Sequence, residues 1–425
     1  MAQVPDRFAP YDPRSFQTER MGFTVTAAFS NIRVIDFSRV IAGPIASQQL
    51  ALLGADVVKI EEPGMGDQLR QLATTAELAT ANTSPMFLSA NVNKRSLTLD
   101  LKSEAGRNVI RRLLETADVV IENFRAGAMD RLGLGYDFAR SVKPDIIYCS
   151  VSGYGQEGPE AGTRAYDPAI QAISGMMSVT GTSESGPMRG GYAPVDVPTG
   201  QMAAFAIASA LFRRAQTGKG QFLDVAMLDT ALTLQVPGIM AYALEESTYG
   251  LNGNASQTGE PAANVFATAD GHVQIAAFAG NQSLALFDLV GVGDHFPMDK
   301  LADAHYRIEN RAEISPLIEA EMKKRTTAEW LQVLEQAAVP CAPIQTYEQM
   351  LEMEQLKHRS VVREINLPGP LSGRHKTLTS GFVADEDGPE VTRISPMLGE
   401  HSEEVLREAG FSDQEIQSLQ ADGVV

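Results

Sequence analysis

RVIDFSRVIAGPIASQQLALLGADVVKIE, residues 33–61, decides the fold. It opens on a short β-rich run, RVIDFS (33–38). Gly43-Pro44 then starts a helix that runs through Leu53, and DVVKIE (56–61) reads as a second strand. Each carries adjacent apolar residues, Val34-Ile35 and Val57-Val58, rather than strict alternation. Such strands belong in a parallel sheet covered on both faces, with the intervening helix as the crossover.

The pattern repeats downstream. SLTLDL (96–101) is a third extended piece. Ser103 is placed to cap a helix in SEAGRNVIRRLLETA, whose apolar positions are Val109, Ile110, Leu113 and Leu114. DVVIENF (118–124) and DIIYCSVSG (145–153) continue the βαβ series. A buried helix is expected from Gly200 to Phe212, a strand in QFLDVAM (221–227), and one more helix over 228–244. The character then changes. STYGLNGNASQTGEPAA (247–263) reads as a loop, and NVFATADGHVQIAAF (264–278) as a hairpin around Asp270-Gly271. Charged helical sequence follows to about Ala338, and VPCAPIQTYEQM reads as a return connection. The expected organisation is an N-terminal arm (1–30), a large Rossmann-like α/β domain with a parallel sheet (31–249), a smaller α+β domain (250–345) and a C-terminal return (346–425).

Composition narrows the function. The 425 residues are 44% hydrophobic and 21% charged, as in ordinary globular proteins, and suffice for two to three domains. A net charge of −18 argues against nucleic acid as a partner. A phosphate-bearing ligand would need a local cluster of Lys and Arg. The two cysteines, Cys149 and Cys341, make neither a disulfide framework nor a cysteine zinc site, and no metal is expected. No apolar run reaches membrane-spanning length, and the first thirty residues lack a signal-peptide core, so the cytoplasm is the default expectation and no membrane partner is expected.

The most telling segment is GGYAPVDVPTGQMAAFAIASALF (190–212). Asp196 is its only charged residue, framed by Gly190, Gly191, Pro194 and Pro198 at the mouth of an apolar helix. One reading is a helix cap, since Asp accepts unpaired N–H groups well, although Thr199 is closer to the apolar run. The other is a nucleophile, a carboxylate able to attack an activated acyl carbon. The residues alone leave both open. A further motif, GYGQEG (153–158), matches a dinucleotide glycine pattern, but Pro159, Gly162 and Arg164 follow where a helix should open. A nucleotide-dependent oxidoreductase therefore lacks its context.

Four segments taken in order resemble the class III CoA-transferases, the family of formyl-CoA:oxalate and L-carnitine CoA-transferases: VIDFSRVIAGPIASQQLALLGADVVKIEEPGMGDQLR (34–70), NVNKRSLTLDLKSEAGRNVIRRLLETADVVIENFRAGAMDRLGLGY (91–136), IIYCSVSGYGQEGP with RAYDPAIQAISGMMSVTG (146–159 and 164–181), and the Asp196 segment with TGKGQFLDVAMLDTALTL (217–234). The resemblance covers nearly everything from residue 31. It implies that Asp196 is the nucleophile, forming first a mixed anhydride with the acyl group and then an aspartyl-CoA thioester. It implies that Val40, Ile41, Ala42, Gly43, Leu99, Lys102, Asn123 and Arg131 contact CoA, and that Asp167 supports catalysis or caps a helix. Acyl-CoA and small carboxylic acids are the implied partners, CoA thioester being a substrate and no cofactor being held permanently. It also implies an intertwined, ring-like homodimer.

The sequence looks closer to the succinyl-CoA:dicarboxylate members than to the formyl-CoA enzymes. Succinyl-CoA as donor and a C4–C6 dicarboxylate as acceptor are the expected substrates, with Arg70, Arg164 and Arg189 as candidates for the distal carboxylate. Ile41 stands where formyl-CoA transferases carry glutamine, Glu62 where they carry a basic residue, and NGNASQTGEP (252–261) where they carry a glycine run. The rival on the same fold is an α-methylacyl-CoA racemase, whose proton exchange pairs His with Asp. All six histidines lie at or beyond His272, and Tyr166 precedes Asp167 where a racemase histidine is expected. A non-catalytic acyl-CoA-binding protein would be expected to lack the central carboxylate, which is present.

Overall fold

The computed structural model describes residues 27–367 and 371–425; the arm expected over 1–30 falls, up to residue 26, outside the described residues. Six strands, β1 (Arg33–Asp36), β2 (Asp56–Glu61), β3 (Lys94–Thr98), β4 (Val119–Glu122), β5 (Ile147–Ser152) and β6 (Gln221–Ala226), form one sheet in the order β3-β2-β1-β4-β5-β6. Every pairing in it is parallel. Strand order reverses between β1 and β4, and the crevice beyond the carboxyl ends of those two strands is where open α/β sheets bind ligands.

Strands β1 to β5 are buried on both faces, whereas β6, at the edge, is buried only at its carboxyl end. Ile35, Val58, Leu97 and Val120 feed an apolar cluster on one side, and Val34, Val57, Ile121 and Ile147 a second cluster on the other. The first face is covered by α2 (Glu104–Leu114), capped as the sequence predicts by Ser103 Oγ accepting the Gly106 N–H at 2.9 Å. The chain end returns to this same face: Val405, Leu406, Ile416 and Leu419 pack into the cluster. Arg95 pins the return by pairing with Glu404 and Glu408, both at 2.8 Å.

The second face is covered by α1 (Ala42–Leu52) and α4 (Asp196–Thr217), numbered with α3 (Asp167–Ile173) between. Helix α1 is buried almost all round, which accounts for its lack of a polar face. At 22 residues α4 is long, and it stops at Gly218, which takes a left-handed φ of 68°. It starts four residues before the expected Gly200. The helix expected over 228–244 is two, Met227–Thr233 and Val236–Glu245, because Pro237 opens a new first turn.

The expected hairpin forms. β7 (Ala263–Ala267) and β8 (His272–Ala276) pair antiparallel, with β9 (Cys341–Pro343) on the far edge of β8. Their core, centred on Trp330, Phe266 and Phe287, is a separate apolar cluster.

Candidate active site

Asp196 is the first residue of α4, and neither it nor Thr199 caps the helix. Thr199 Oγ donates instead to the Val195 carbonyl at 2.7 Å. The cap comes from α3: Asp167 Oδ2 accepts the backbone N–H groups of both Val195 and Asp196, each at 2.9 Å. Asp167 is held in turn by Gln171, whose Nε2 donates to Oδ1 at 2.5 Å while its Oε1 accepts the Gly190 N–H at 2.8 Å. With the helix start satisfied by another residue, the Asp196 carboxylate accepts no hydrogen bond from the described residues and lines a cleft of about 470 Å³. Burial, and after it the charge of Asp167, push the Asp196 carboxyl up to about 7.

The opposite wall of the cleft is the β1–α1 turn. Two glycines let the parts approach. A Cβ at Gly200 would stand 2.6 Å from the Ala42 carbonyl oxygen, and one at Gly43 would stand 2.3 Å from Ser38 Cβ. The side chain of Asn123, just past β4, clasps the turn across the switch point. It accepts the Arg39 N–H at 2.8 Å and donates to the Arg39 carbonyl at 2.7 Å. Helix α1 has no side-chain cap, and the N–H groups of Ile41 and Ala42 have no acceptor among the described residues; both residues line the cleft. A helix N-terminus with unpaired donors suits an anion or a developing oxyanion.

Beside the cleft lies a smaller cavity of about 180 Å³, whose lining includes Leu99 and Lys102. Arg39 and Phe124 wall both cavities, with the guanidinium 5.1 Å from the ring centre. The two cavities lie side by side, sharing the Arg39 and Phe124 wall.

The expected site residues fall into groups. Val40, Ile41, Ala42 and Asn123 line the large cleft, and Leu99 and Lys102 the small one. Gly43 packs behind the turn, and Arg131 is exposed and lines neither cavity. Of the three arginines, Arg164 lines the cleft, whereas Arg189 is exposed outside it. Arg70 does not reach the cleft at all. It is 1% exposed, gripping Glu61 through two bonds of 2.7 Å and lying over the Phe87 ring at 3.6 Å. Its assignment to substrate is therefore corrected: the fork is already spent on a buried carboxylate. The glycine motif at 153–158 contributes only Gly153 to the cleft, and no helix follows it until Asp167. Sequence reasoning missed Arg39, Phe124 and Met227 as wall residues. Arg39 sits inside the turn that was singled out and could have been found there. No histidine lines the cleft, and among the described residues no cluster of His, Cys, Asp or Glu could hold a metal ion. No helix among them is long and apolar enough to cross a membrane.

Comparison with known proteins bears on this geometry. Residues 29–402 match the family described as CoA-transferase family III. A succinyl-CoA:glutarate CoA-transferase of Mus musculus is 32% identical, over 93% of this chain and 89% of its own. A formyl-CoA:oxalate CoA-transferase of Streptomyces coelicolor is 34% identical, over 94% and 99%. Among solved structures, a CAIB/BAIF family protein from Brucella suis superposes with a TM-score of 0.80 at 32% identity, covering 90% of this chain and all of that one.

Proposed function

The chain belongs to CoA-transferase family III and is a CoA-transferase, and from that premise we propose that it moves CoA from succinyl-CoA to a C4–C6 dicarboxylate, glutarate foremost, through covalent intermediates on Asp196. The carboxylate attacks the thioester carbonyl, and the C–S bond breaks to give a mixed aspartyl anhydride and CoA thiolate. The thiolate then attacks the aspartyl carbonyl, releasing succinate and leaving an aspartyl-CoA thioester. The acceptor carboxylate attacks that thioester, and the same two exchanges in reverse yield the new acyl-CoA and free Asp196. Each step trades one acyl bond for another of similar energy, so no external energy source is needed.

One observation carries the reading: Asp196 is a cleft carboxylate with no hydrogen-bond partner among the described residues, at a helix start capped by Asp167. The unpaired N–H groups of Ile41 and Ala42 supply donors for the oxyanion that forms at each exchange. Arg164, exposed at the cleft, receives the distal carboxylate of a diacid. The dicarboxylate preference rests on the succinyl-CoA:glutarate relatives, and Ile41 in place of a polar side chain fits a longer acid better than formate. The absence of histidine from the cleft lining supports acyl transfer over proton exchange. The reading includes a homodimer in the cytoplasm. Phe205, Phe212 and Tyr192, each about 70% exposed, offer apolar surface for a second copy.

The test is intact-protein mass spectrometry after brief incubation with succinyl-CoA, then hydroxylamine trapping, with Asp196→Ala alongside. A hydroxamate at Asp196, absent from the variant, is the expected result. No adduct, together with solvent deuterium entering a 2-methylacyl-CoA, would replace transfer by racemisation.

A further inference from the structure

The turn facing Asp196 contains a residue in a conformation its side chain resists. Val40 has φ +67°. The other non-glycine residues at positive φ among those described are Asn82, Asn93, Glu246, Ala338 and Ser360, so Val40 is the only β-branched one. Branching at Cβ crowds the left-handed backbone, and such a residue persists only where its surroundings fix it.

What fixes it is a buried ion pair that has no part in the chemistry above. The Val40 N–H donates to both carboxylate oxygens of Asp67, at 3.2 Å each. Lys59 Nζ stands 3.1 Å from the same carboxylate and donates to the Ser38 carbonyl at 2.7 Å. The pair therefore straddles the turn, gripping the chain on either side of Arg39. Both side chains are essentially inaccessible to solvent. Asp67 is fixed further by accepting the Leu69 N–H at 3.0 Å, and its own N–H donates to Glu61 Oε2 at 2.9 Å. A buried ion pair adds little net stability compared with apolar residues of the same size. Here the pair holds one backbone conformation within the β1–α1 turn that walls the cleft.

We propose that Asp67, braced by Lys59, is a positioning residue: it holds Val40 left-handed and thereby aims the N–H groups of Ile41 and Ala42 at the acyl group carried by Asp196. The inference rests on Asp196 being the acyl acceptor. Asp67 touches no substrate. It acts through the backbone of Val40, and a glycine at position 40 would adopt the same φ without being held.

The experiment follows CoA exchange and hydroxylamine-trapped adduct at Asp196, both from succinyl-CoA. Wild type is run first, and failure to form adduct there would sink the functional reading and leave the clamp to be read from CoA binding by calorimetry. Two backgrounds weaken the clamp. Lys59→Met with Asp67→Leu removes both charges and leaves neither unpaired, and Asp67→Asn is the milder change in case the double variant does not fold. In each, kcat and the rate of adduct formation are expected to fall by about tenfold or more, with KM for succinyl-CoA within about threefold, because a small misplacement of donors is felt at the transition state. Adding Val40→Gly should recover most of the lost kcat. A merely structural clamp would lower the unfolding midpoint and gain nothing from the glycine. Loss of kcat that Val40→Gly leaves unrepaired in a folded protein would overturn the proposal, as would a change confined to KM.

Discussion

The backbone N–H of Asp196 donates to Asp167 Oδ2 at 2.9 Å, so the residue that fixes the Asp196 main chain also supplies a charge that acts on its carboxylate. The two effects oppose each other. Capping by Asp167 frees Asp196 from capping its own helix. The negative charge of Asp167, added to burial, holds the Asp196 carboxyl up to about 7.

This sets the pH dependence of acyl transfer. Only the carboxylate attacks, so kcat/KM should fall about tenfold per pH unit below the Asp196 pKa and level off above it. Asp167→Asn keeps an oxygen to accept the two N–H groups but removes the charge. Its acid limb should move to lower pH, while burial, the larger cause, keeps it above the ordinary carboxylate range. Profiles of CoA exchange for both proteins decide this, and an unmoved limb in the variant would show that Asp196 does not sense the charge on Asp167.

Gly200 sets how closely the start of α4 approaches the β1–α1 turn. A Cβ there would stand 2.6 Å from the Ala42 carbonyl oxygen and 2.7 Å from the side chain of Ile45, and neither the helix backbone nor the buried isoleucine can withdraw. Gly200→Ala should cost about 1–3 kcal/mol and move the start of α4 off the turn. Gly162→Ala, with nothing within 4 Å, is the control. Urea unfolding and exchange rates measured together should both drop for the first and hold for the second; unchanged exchange in Gly200→Ala would mean the helix contact does not place Asp196.

Arg70 and Arg164 should separate cleanly. Arg70→Ala strands Glu61, whose carboxyl the Arg70 fork and Lys59 hold below its usual range despite burial, and the loss should be about 3–5 kcal/mol of stability. Arg164→Ala removes an exposed side chain, so stability should stay within about 0.5 kcal/mol. Its KM for glutarate should rise by about tenfold, the worth of one charge-assisted contact. A glutarate KM that does not move would remove Arg164 from the acid site.

Most strands were legible because they carry compact apolar runs, and the Ser103 cap because its partner is three residues away; the third strand runs over Lys94–Thr98 rather than the expected 96–101, because it opens on the charged Lys94 and Arg95, which the sheet buries. The order of the sheet was not, since β1 lies between β2 and β4 through contacts the local pattern does not encode. The start of α4 was misplaced for a similar reason: the cap that the sequence assigned to a neighbour comes from Asp167, 29 residues away. Pro237 was a visible break in the expected 228–244 helix, and the chain restarts a helix there with Pro237 in its first turn. Arg70 reads as a loop cation until β2 folds and presents Glu61 beside it. Asp67 stands in a glycine-containing stretch that reads as a turn, and its grip on Val40 exists only once the sheet brings Lys59 beneath both.

Asp196 should also be a cost to the fold. Burial, and after it the charge of Asp167, push its carboxyl from the ordinary 3.8 up to about 7 in the folded protein, so the folded pKa is raised. The contribution to stability is then fully present below the unfolded value, where the group is neutral in both states, and is lost as pH rises through the folded value. Above that point the protein holds a half-buried charge that the unfolded chain would leave in water. Asp196→Asn has almost the same shape and never ionises. At about pH 8 it should be more stable than wild type by about 1–3 kcal/mol, a figure reduced from the full linkage value because the carboxylate is partly solvated, and the gap should close by about pH 4. Urea unfolding of both proteins across that range measures it. A gap that stays constant with pH would mean that Asp196 ionises freely, and the variant would then owe its stability to something other than a removed charge.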